Sequence, residues 1–425
     1  MDGSKVANDL KISESLSSFT PRSDWQLKIW KQLLLSGFPR SCDEDWRYTS
    51  LSSIKDKILT RPSEANNFFD PAFTSKLNLL DGYKLVFMNG NYLVDHSEKI
   101  PEITTYLLGA AESKDIISRS PSKDQEFFSQ LTDATLEKTF LIEVREGTHL
   151  EKPLHIVFFD KTFGSEMSTS RIHISVGRGA TLNLVEHHIG ISGSTGTSLS
   201  RISAHLGDKV DYNHYNIINL STDQQHFGYN DLSIGRNSTG SIKTFMLSGY
   251  LVRHHTVAQF NGEGSKLDID SLALPNYKQT HDTRTLLKHD APGCRSHQLH
   301  KIIASGDGVG VFDGTIIVGE SAPKTNGQMD SHNLLLHNKA TVNSKPKLEI
   351  YTDDVKCSHG CTLGELSPDQ LFYLESRGIT KQDAKRILIR AFAAEVCHSV
   401  CIPLLRTYLL HEIDNRIRAL DNDIV

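Results

Sequence analysis

The chain has 425 residues, 46 of them Lys or Arg and 51 Asp or Glu, for a formal net charge of −5. With 38% hydrophobic and 23% charged residues, it has the apolar material for a buried core over two or three domains and is too apolar to be disordered. The slight acidic excess and the absence of a Lys/Arg stripe exclude a dedicated nucleic-acid binder, and no apolar run reaches the roughly 18 residues of a membrane span.

Residues 1–20 are polar and Ser-rich and read as a flexible arm. They carry no apolar signal stretch and no Arg-rich bias, so a cytoplasmic location is expected. After Pro21, Ser23-Asp24-Trp25-Gln26 has the form of a capping box. Trp25, Ile29, Trp30, Leu33 and Leu34 then recur at helical spacing until Gly37 and Pro39 end the helix. Asp45–Leu51 is a second short stretch, and residues 21–140 form an N-terminal helical or mixed domain.

From residue 141 to 356 the texture changes to short alternating segments such as Ile172-His173-Ile174-Ser175-Val176 and Thr181-Leu182-Asn183-Leu184-Val185. Period-2 alternation predicts half-buried strands, and glycines at short intervals (Gly177, Gly190, Gly207, Gly228, Gly235 and Gly262 among them) read as turns. An all-β run of this length must hide its strand edges, and with no repeated blade signature a stacked β-solenoid fits best. Beyond Cys357 the pattern turns helical. Ser367-Pro368-Asp369-Gln370 caps one helix that stops at Gly378, Thr380–Ile402 forms a second, and Pro403 opens a third carrying Leu405, Leu409, Ile413 and Ile417.

Familiar catalytic spellings fail. Gly306-Asp307-Gly308-Val309-Gly310 lacks the third glycine of a dinucleotide loop, no nucleotide P-loop or serine-hydrolase elbow is present, and His411-Glu412-Ile413-Asp414-Asn415 has Asn where a zinc helix needs its second His. The doublets His187-His188 and His254-His255 point to opposite strand faces and, like His297 and His300, read as surface or core histidines. The six cysteines, Cys42, Cys294, Cys357, Cys361, Cys397 and Cys401, are too sparse for a disulfide framework and are expected as free thiols, with Cys397 and Cys401 one turn apart on a helix and packed in its core.

The sharpest feature is Asp353-Asp354-Val355-Lys356-Cys357-Ser358-His359-Gly360-Cys361, at the junction of the β region and the helical module. A thiol and an imidazole two residues apart on a strand face one way, and as ligands they suit iron in a sulfur cluster. A buried Cys with a hydrogen-bonded His at a tight turn, or a zinc site recruiting Cys361, are the alternatives.

DDVKCSHGCTLGEL, LFYLESRGI and AKRILIRAFAAEV closely resemble the C-terminal signature of the SufB/SufD family of iron–sulfur cluster assembly proteins, and EDWRYTSL resembles its N-terminal element. Chain length favours the shorter of the family's two branches. The resemblance implies a right-handed parallel β-helix core (141–356) flanked by N-terminal and C-terminal α-helical domains, the latter (357–425) binding the ABC-type ATPase SufC. It implies a non-catalytic scaffold that pairs through the β-helix with the longer paralogue, SufB, and shares a transient iron–sulfur cluster with it, His359 and Cys357 being the interface residues that hold the cluster. ATP-driven approach of two SufC subunits would pull the helices and expose that interface. The same likeness raises a flavin in the assembled complex and pairing with a second copy of this chain. Cys361 stands where the family usually has Ala and adds a thiol. A β-helix polysaccharide-active enzyme and a homodimeric metal-binding protein are the competing functions.

Overall fold

A computed structural model describes residues 12–63, 73–77, 80–118 and 126–419. Two sheets face each other across one apolar interior. Strands Leu154–Asp160, Thr181–Gly190, Asp211–Asn219, Thr239–Ser248, Lys266–Ala273, Arg295–Ala304, Thr325–Leu335 and Val355–Gly364 lie side by side in one sheet. Strands Lys138–Val144, Met167–Val176, Thr197–Leu206, Gln225–Ile234, Leu251–Phe260, Thr280–His289, Val309–Val318 and Thr341–Ile350 alternate with them in sequence and form the other. Within each sheet these strands pair in parallel, each with the next, so the chain winds through about eight coils of a parallel β-helix.

The alternation in sequence becomes stacking in space. Ile172 lies on Ile202, Ile174 on Ala204 and Val176 on Leu206, all buried in the interior cluster. Each fully buried Ile or Leu in such a ladder contributes roughly 1.5–3 kcal/mol. At the corners, coils approach so closely that a Cβ on Gly190 would sit 2.1 Å from the Ser221 nitrogen, and one on Gly262 would sit 2.2 Å from the Arg236 nitrogen. Gly228 is not a turn, as its spelling suggested: it lies inside the strand Gln225–Ile234, where a Cβ would strike His254 Nδ1 at 2.6 Å and His226 Nε2 at 2.7 Å.

Three boundaries differ from expectation. The parallel sheet begins at Tyr83, whose strand Tyr83–Met88 pairs in parallel with Leu154–Asp160, well before residue 141. It ends at Gly364, so the Cys357 segment belongs to the last coil rather than to the helical module. Of the arm expected over 1–20, residues 1–11 lie outside the described residues, while Ile12, Leu16 and Phe19 are buried with Leu33, Trp46 and Leu51; three apolar side chains at helical spacing outweigh the polar composition.

Helices α1 (Asp24–Ser36) and α2 (Phe127–Thr135) sit on the outer face of the second sheet. Ser23 Oγ accepts the Gln26 N–H at 3.4 Å, while Gln26 Oε1 accepts the Arg22 N–H at 2.8 Å, a near variant of the expected capping box. Trp46 packs on Phe128 and stacks under Arg253, whose guanidinium lies 3.8 Å from the indole centroid. Beneath α2, Asp133 bridges Arg171 at 3.1 Å and Arg201 at 2.6 Å, residues stacked on adjacent coils. At the other end, α3 (Pro368–Ser376), α4 (Lys381–His398) and α5 (Pro403–Ala419) follow the last coil. Ile389, Ala393, Val396, Leu405, Leu409 and Ile413 press α4 and α5 onto Val185, Tyr215, Phe245 and Leu272 on the outside of the first sheet. None of the described helices is long and apolar enough to cross a membrane.

Candidate functional site

Strands Val355–Gly364 and Thr341–Ile350 are each the last in their sheet and have a ladder partner on one side only, so the β-helix ends among the described residues in two open edges. Pro346 donates no backbone hydrogen bond and is at home on such an edge, as are Lys345 and Lys347 beside it. Glu44 reaches across from the EDW turn to pair with Lys345, so the N-terminal domain touches the terminal strand.

The register places the expected ligands. Cys357 lies opposite Gly327, His359 opposite Met329, and Cys361 opposite Ser331. Met329 and Ser331 are fully buried, so the odd-numbered residues of the last strand form the interior row of an uncovered coil. Their environments diverge along that row. Cys357 is half-buried against the interior cluster, its Sγ 3.5 Å from where a Cβ on Gly327 would lie, and burial raises its thiol pKa despite a backbone hydrogen bond involving Gly327. His359 and Cys361 are exposed. Buried Asn333 directs its Nδ2 to Cys361 Sγ at 3.9 Å, to Ser331 Oγ at 3.1 Å and to the Thr362 carbonyl at 3.0 Å. Gly360, on the opposite face, leaves room for Asp330, whose Oδ1 would lie 2.7 Å from an added Cβ.

At about 3.3 Å per residue, Cys357 and Cys361 stand about 13 Å apart along the strand, too far to share one ion, whereas either can act with His359 between them. Among the described residues no group of three or more His, Cys, Asp or Glu is arranged to hold a metal ion. The row therefore offers partial coordination, open toward the end of the β-helix.

The histidine doublets divide between the two faces, as alternation requires. His187 lies on the outer face against Tyr408, 3.3 Å from its hydroxyl, while His188 and His254 are interior. His300 accepts or donates within a buried chain of Ser271 at 2.8 Å and Gln298 at 3.1 Å, and His297 is half-buried. What the sequence did not disclose is a carboxylate inside the solenoid. Glu186 bonds His188 Nε2 at 2.8 Å and His214 Nε2 at 2.9 Å. Burial opposes its charge, but the two imidazoles prevail and hold its pKa well below 4.5. Burial likewise opposes the charge on His188, yet Asp160 and Glu186 together raise its pKa to about 9. The shared parity of Glu186 and His188 on one strand is visible in the sequence; the meeting with His214, which lies opposite Leu184 on the next coil, is not.

The remaining cysteines are free thiols, as expected. Cys397 is buried in α4 with its thiol pushed up to about 12 by burial. Cys401 departs from expectation. The helix ends at His398, so Cys401 is exposed in the connection to α5, where its N–H donates to Tyr215 Oη at 3.2 Å. Cys294 is buried in the interior cluster, 3.3 Å from the Gly262 carbonyl. On the helical module, Phe372, Tyr373 and Leu404 are 73%, 58% and 56% exposed.

Residues 158–392 match the family described as SUF system FeS cluster assembly, SufBD core domain. The chain is 35% identical over 404 residues to the iron–sulfur cluster assembly protein SufD of Escherichia coli, covering 94% of each. It is 28% identical over 394 residues to an iron–sulfur cluster assembly SufBD family protein of Synechocystis, covering 87% of this chain and 85% of the relative. To the SufD of Bacillus subtilis it is 23% identical over 324 residues, 74% of each chain.

Proposed function

Since the chain belongs to the SufBD family of the SUF iron–sulfur cluster assembly system and is most like its SufD members, we propose that it is a non-catalytic scaffold subunit on which a nascent cluster forms at a subunit seam. The observation that carries this reading is the row of Cys357 and His359 on the interior face of an uncovered last coil, with two unpaired strand edges beside it. A second β-helix, that of the SufB paralogue, would satisfy those edges and complete the coordination of iron and sulfide that this chain only begins. The cluster is cargo: it assembles between the two chains and leaves.

The exposed Phe372, Tyr373 and Leu404 support α3–α5 as the docking surface for the ATPase SufC. The same helices are tied to the strands that lead to the seam. Lys301 Nζ donates to the Phe392 carbonyl at 3.0 Å and pairs with Glu395 in α4. Lys301 stacks on His332, which stacks on Thr362 in the terminal strand. Movement of α4 under ATP-driven dimerisation of SufC would thus be transmitted to the ligand row in two ladder steps.

The carboxylates of the outer sheet face and of α2 favour a scaffold over a polysaccharide-cleaving enzyme. Asp133, Asp231 and Asp282 are bound to arginines rather than converging on a groove. The deciding experiment is anaerobic co-expression with a SufB and a SufC, followed by co-purification and a visible spectrum. A brown ternary complex with broad sulfide-to-iron absorption is expected, and structured flavin bands would show separately if a flavin is bound. His359→Ala is expected to leave the complex intact and remove the colour. A colourless chain that ignores both partners, pairs with itself or cleaves a glycan would overturn the proposal.

A further inference from the structure

The three side chains of the terminal row are not equivalent, and the difference bears on which of them meets the metal. Cys357 leans over Gly327 and packs on the interior cluster, so its sulfur is directed into an apolar environment. Cys361 shares the same face, is exposed, and adjoins exposed His359 at the two-residue spacing that lets neighbouring strand positions serve one ion. Diagonal to it on the neighbouring strand, opposite Leu363, sits Asn333, only 3% exposed, with three contacts from its Nδ2, one of them to the Cys361 sulfur, and with its Oδ1 unpartnered. An amide buried this deeply is held in one orientation by Ser331 and the Thr362 carbonyl, which take its two N–H hydrogens, so the Cys361 sulfur at 3.9 Å is met by the long branch of a shared N–H before any metal arrives.

We infer that His359 and Cys361 form the ligand pair this chain contributes to a thiophilic divalent metal such as ferrous iron, with Asn333 as the positioning residue for the Cys361 sulfur. The inference rests on the scaffold reading for its biological setting but not for its chemistry. On binding, the Cys361 S–H bond breaks, its proton passes to solvent, and the sulfur forms a bond to the metal with no change of oxidation state. The imidazole of His359 supplies a second bond through a nitrogen lone pair. The Asn333 N–H donates to the resulting thiolate, stabilises its charge and orients its remaining lone pairs.

The test uses the full chain carrying Cys42→Ser and Cys401→Ser, which removes the other exposed thiols, titrated anaerobically with cobalt(II). One equivalent is expected to bind with a near-ultraviolet sulfur-to-cobalt charge-transfer band. Cys361→Ala should abolish that band, and His359→Ala should weaken binding about tenfold or more. Cys357→Ala should retain the band. Asn333→Leu, with folding verified by circular dichroism, should weaken binding about tenfold and move the band to longer wavelength, a spectral change that loss of packing alone does not produce. A band lost with Cys357→Ala and kept with Cys361→Ala overturns the assignment while leaving the scaffold reading standing. So does the absence of any band, since the brown complex is scored separately. A band indifferent to Asn333→Leu removes the positioning role.

Discussion

At the scale of single residues, the interior of this β-helix is charged where an aliphatic ladder would have sufficed. Glu186 is bonded by two imidazoles in the buried core, and neutralising the carboxylate takes the nearest charge from both, leaving His188 with Asp160 and His214 with Tyr212. Glu186→Gln is expected to lower stability by about 3–5 kcal/mol, the usual consequence of leaving a buried charge without its partner. Equilibrium urea unfolding reads this directly, and a change below about 1 kcal/mol would contradict it. The histidines also set the pH profile. Burial lowers the pKa of His254, His281 and His289 to about 4 and of His155 and His300 to about 3. Because these groups are neutral in the fold and titrate near 6.5 when unfolded, their contribution is full above about pH 6.5 and is lost as the pH falls toward 4, at up to about 1.4 kcal/mol per pH unit for each. His188, raised to about 9, acts oppositely: its contribution is full below about 6.5 and is lost as the pH rises through 9. The urea midpoint should therefore fall markedly as the pH drops from about 6.5 to 5.5, and also decline as the pH rises from about 6.5 through 9. A flat profile across the acidic window would show that these imidazoles are hydrated rather than sealed.

At the scale of elements, the stacked coils leave no slack at their corners. Gly262→Ala would drive a Cβ to 2.2 Å from the backbone nitrogen of Arg236, and backbone cannot yield as a side chain can. A loss of about 2–4 kcal/mol is expected by thermal or urea unfolding, whereas Gly364→Ala at the open end, where nothing lies within 4 Å, should be nearly neutral. The N-terminal domain is fastened to the second sheet by an apolar cluster around Trp46 and by Thr49–Asp282 and Asp45–Arg284. Trp46→Ala removes the indole under Arg253 and its packing on Phe128, and should cost about 3–5 kcal/mol, with limited proteolysis releasing residues near α1 first. If α1 remained as protected as before, Trp46 would not be what holds the N-terminal domain on the sheet.

Much of this was legible in the sequence. Alternation such as Ile172, Ile174 and Val176 gave the strands, and the caps at Ser23 and Ser367 gave two helix starts. The chemistry of the Cys357–Cys361 segment could be recognised by residue type and spacing, since i, i+2 on a strand needs no tertiary knowledge. What remained hidden depends on contacts between coils. The parallel strand at Tyr83 is separated from its partner by about seventy residues, so local texture carried no trace of it. Glu186 and His214 meet only through register, and Cys401 left its helix because the chain turns after His398 ahead of Pro403. Asn333 is silent in sequence because its role exists only where two strands lie side by side.

At the scale of the whole molecule, the proposed function would join the parts in one line of transmission: helices that display apolar side chains, strands that would carry their displacement, and a final coil with Cys357, His359 and Cys361 at an unfinished edge. Each is ordinary for a parallel β-helix except the last, since a solenoid left open at one end exposes unpaired backbone and is ordinarily capped. Here the uncapped end is also the one that bears Cys357, His359 and Cys361. The claim that a second subunit closes this end is tested most directly by amide hydrogen exchange of segments 341–350 and 355–364, in the isolated chain and in the complex with SufB and SufC. Protection at both segments that rises at least tenfold on complex formation, with the coils from 197 to 234 unchanged, is the expected result. Equal exchange in the two states would place the partner elsewhere and leave the ligand row facing solvent.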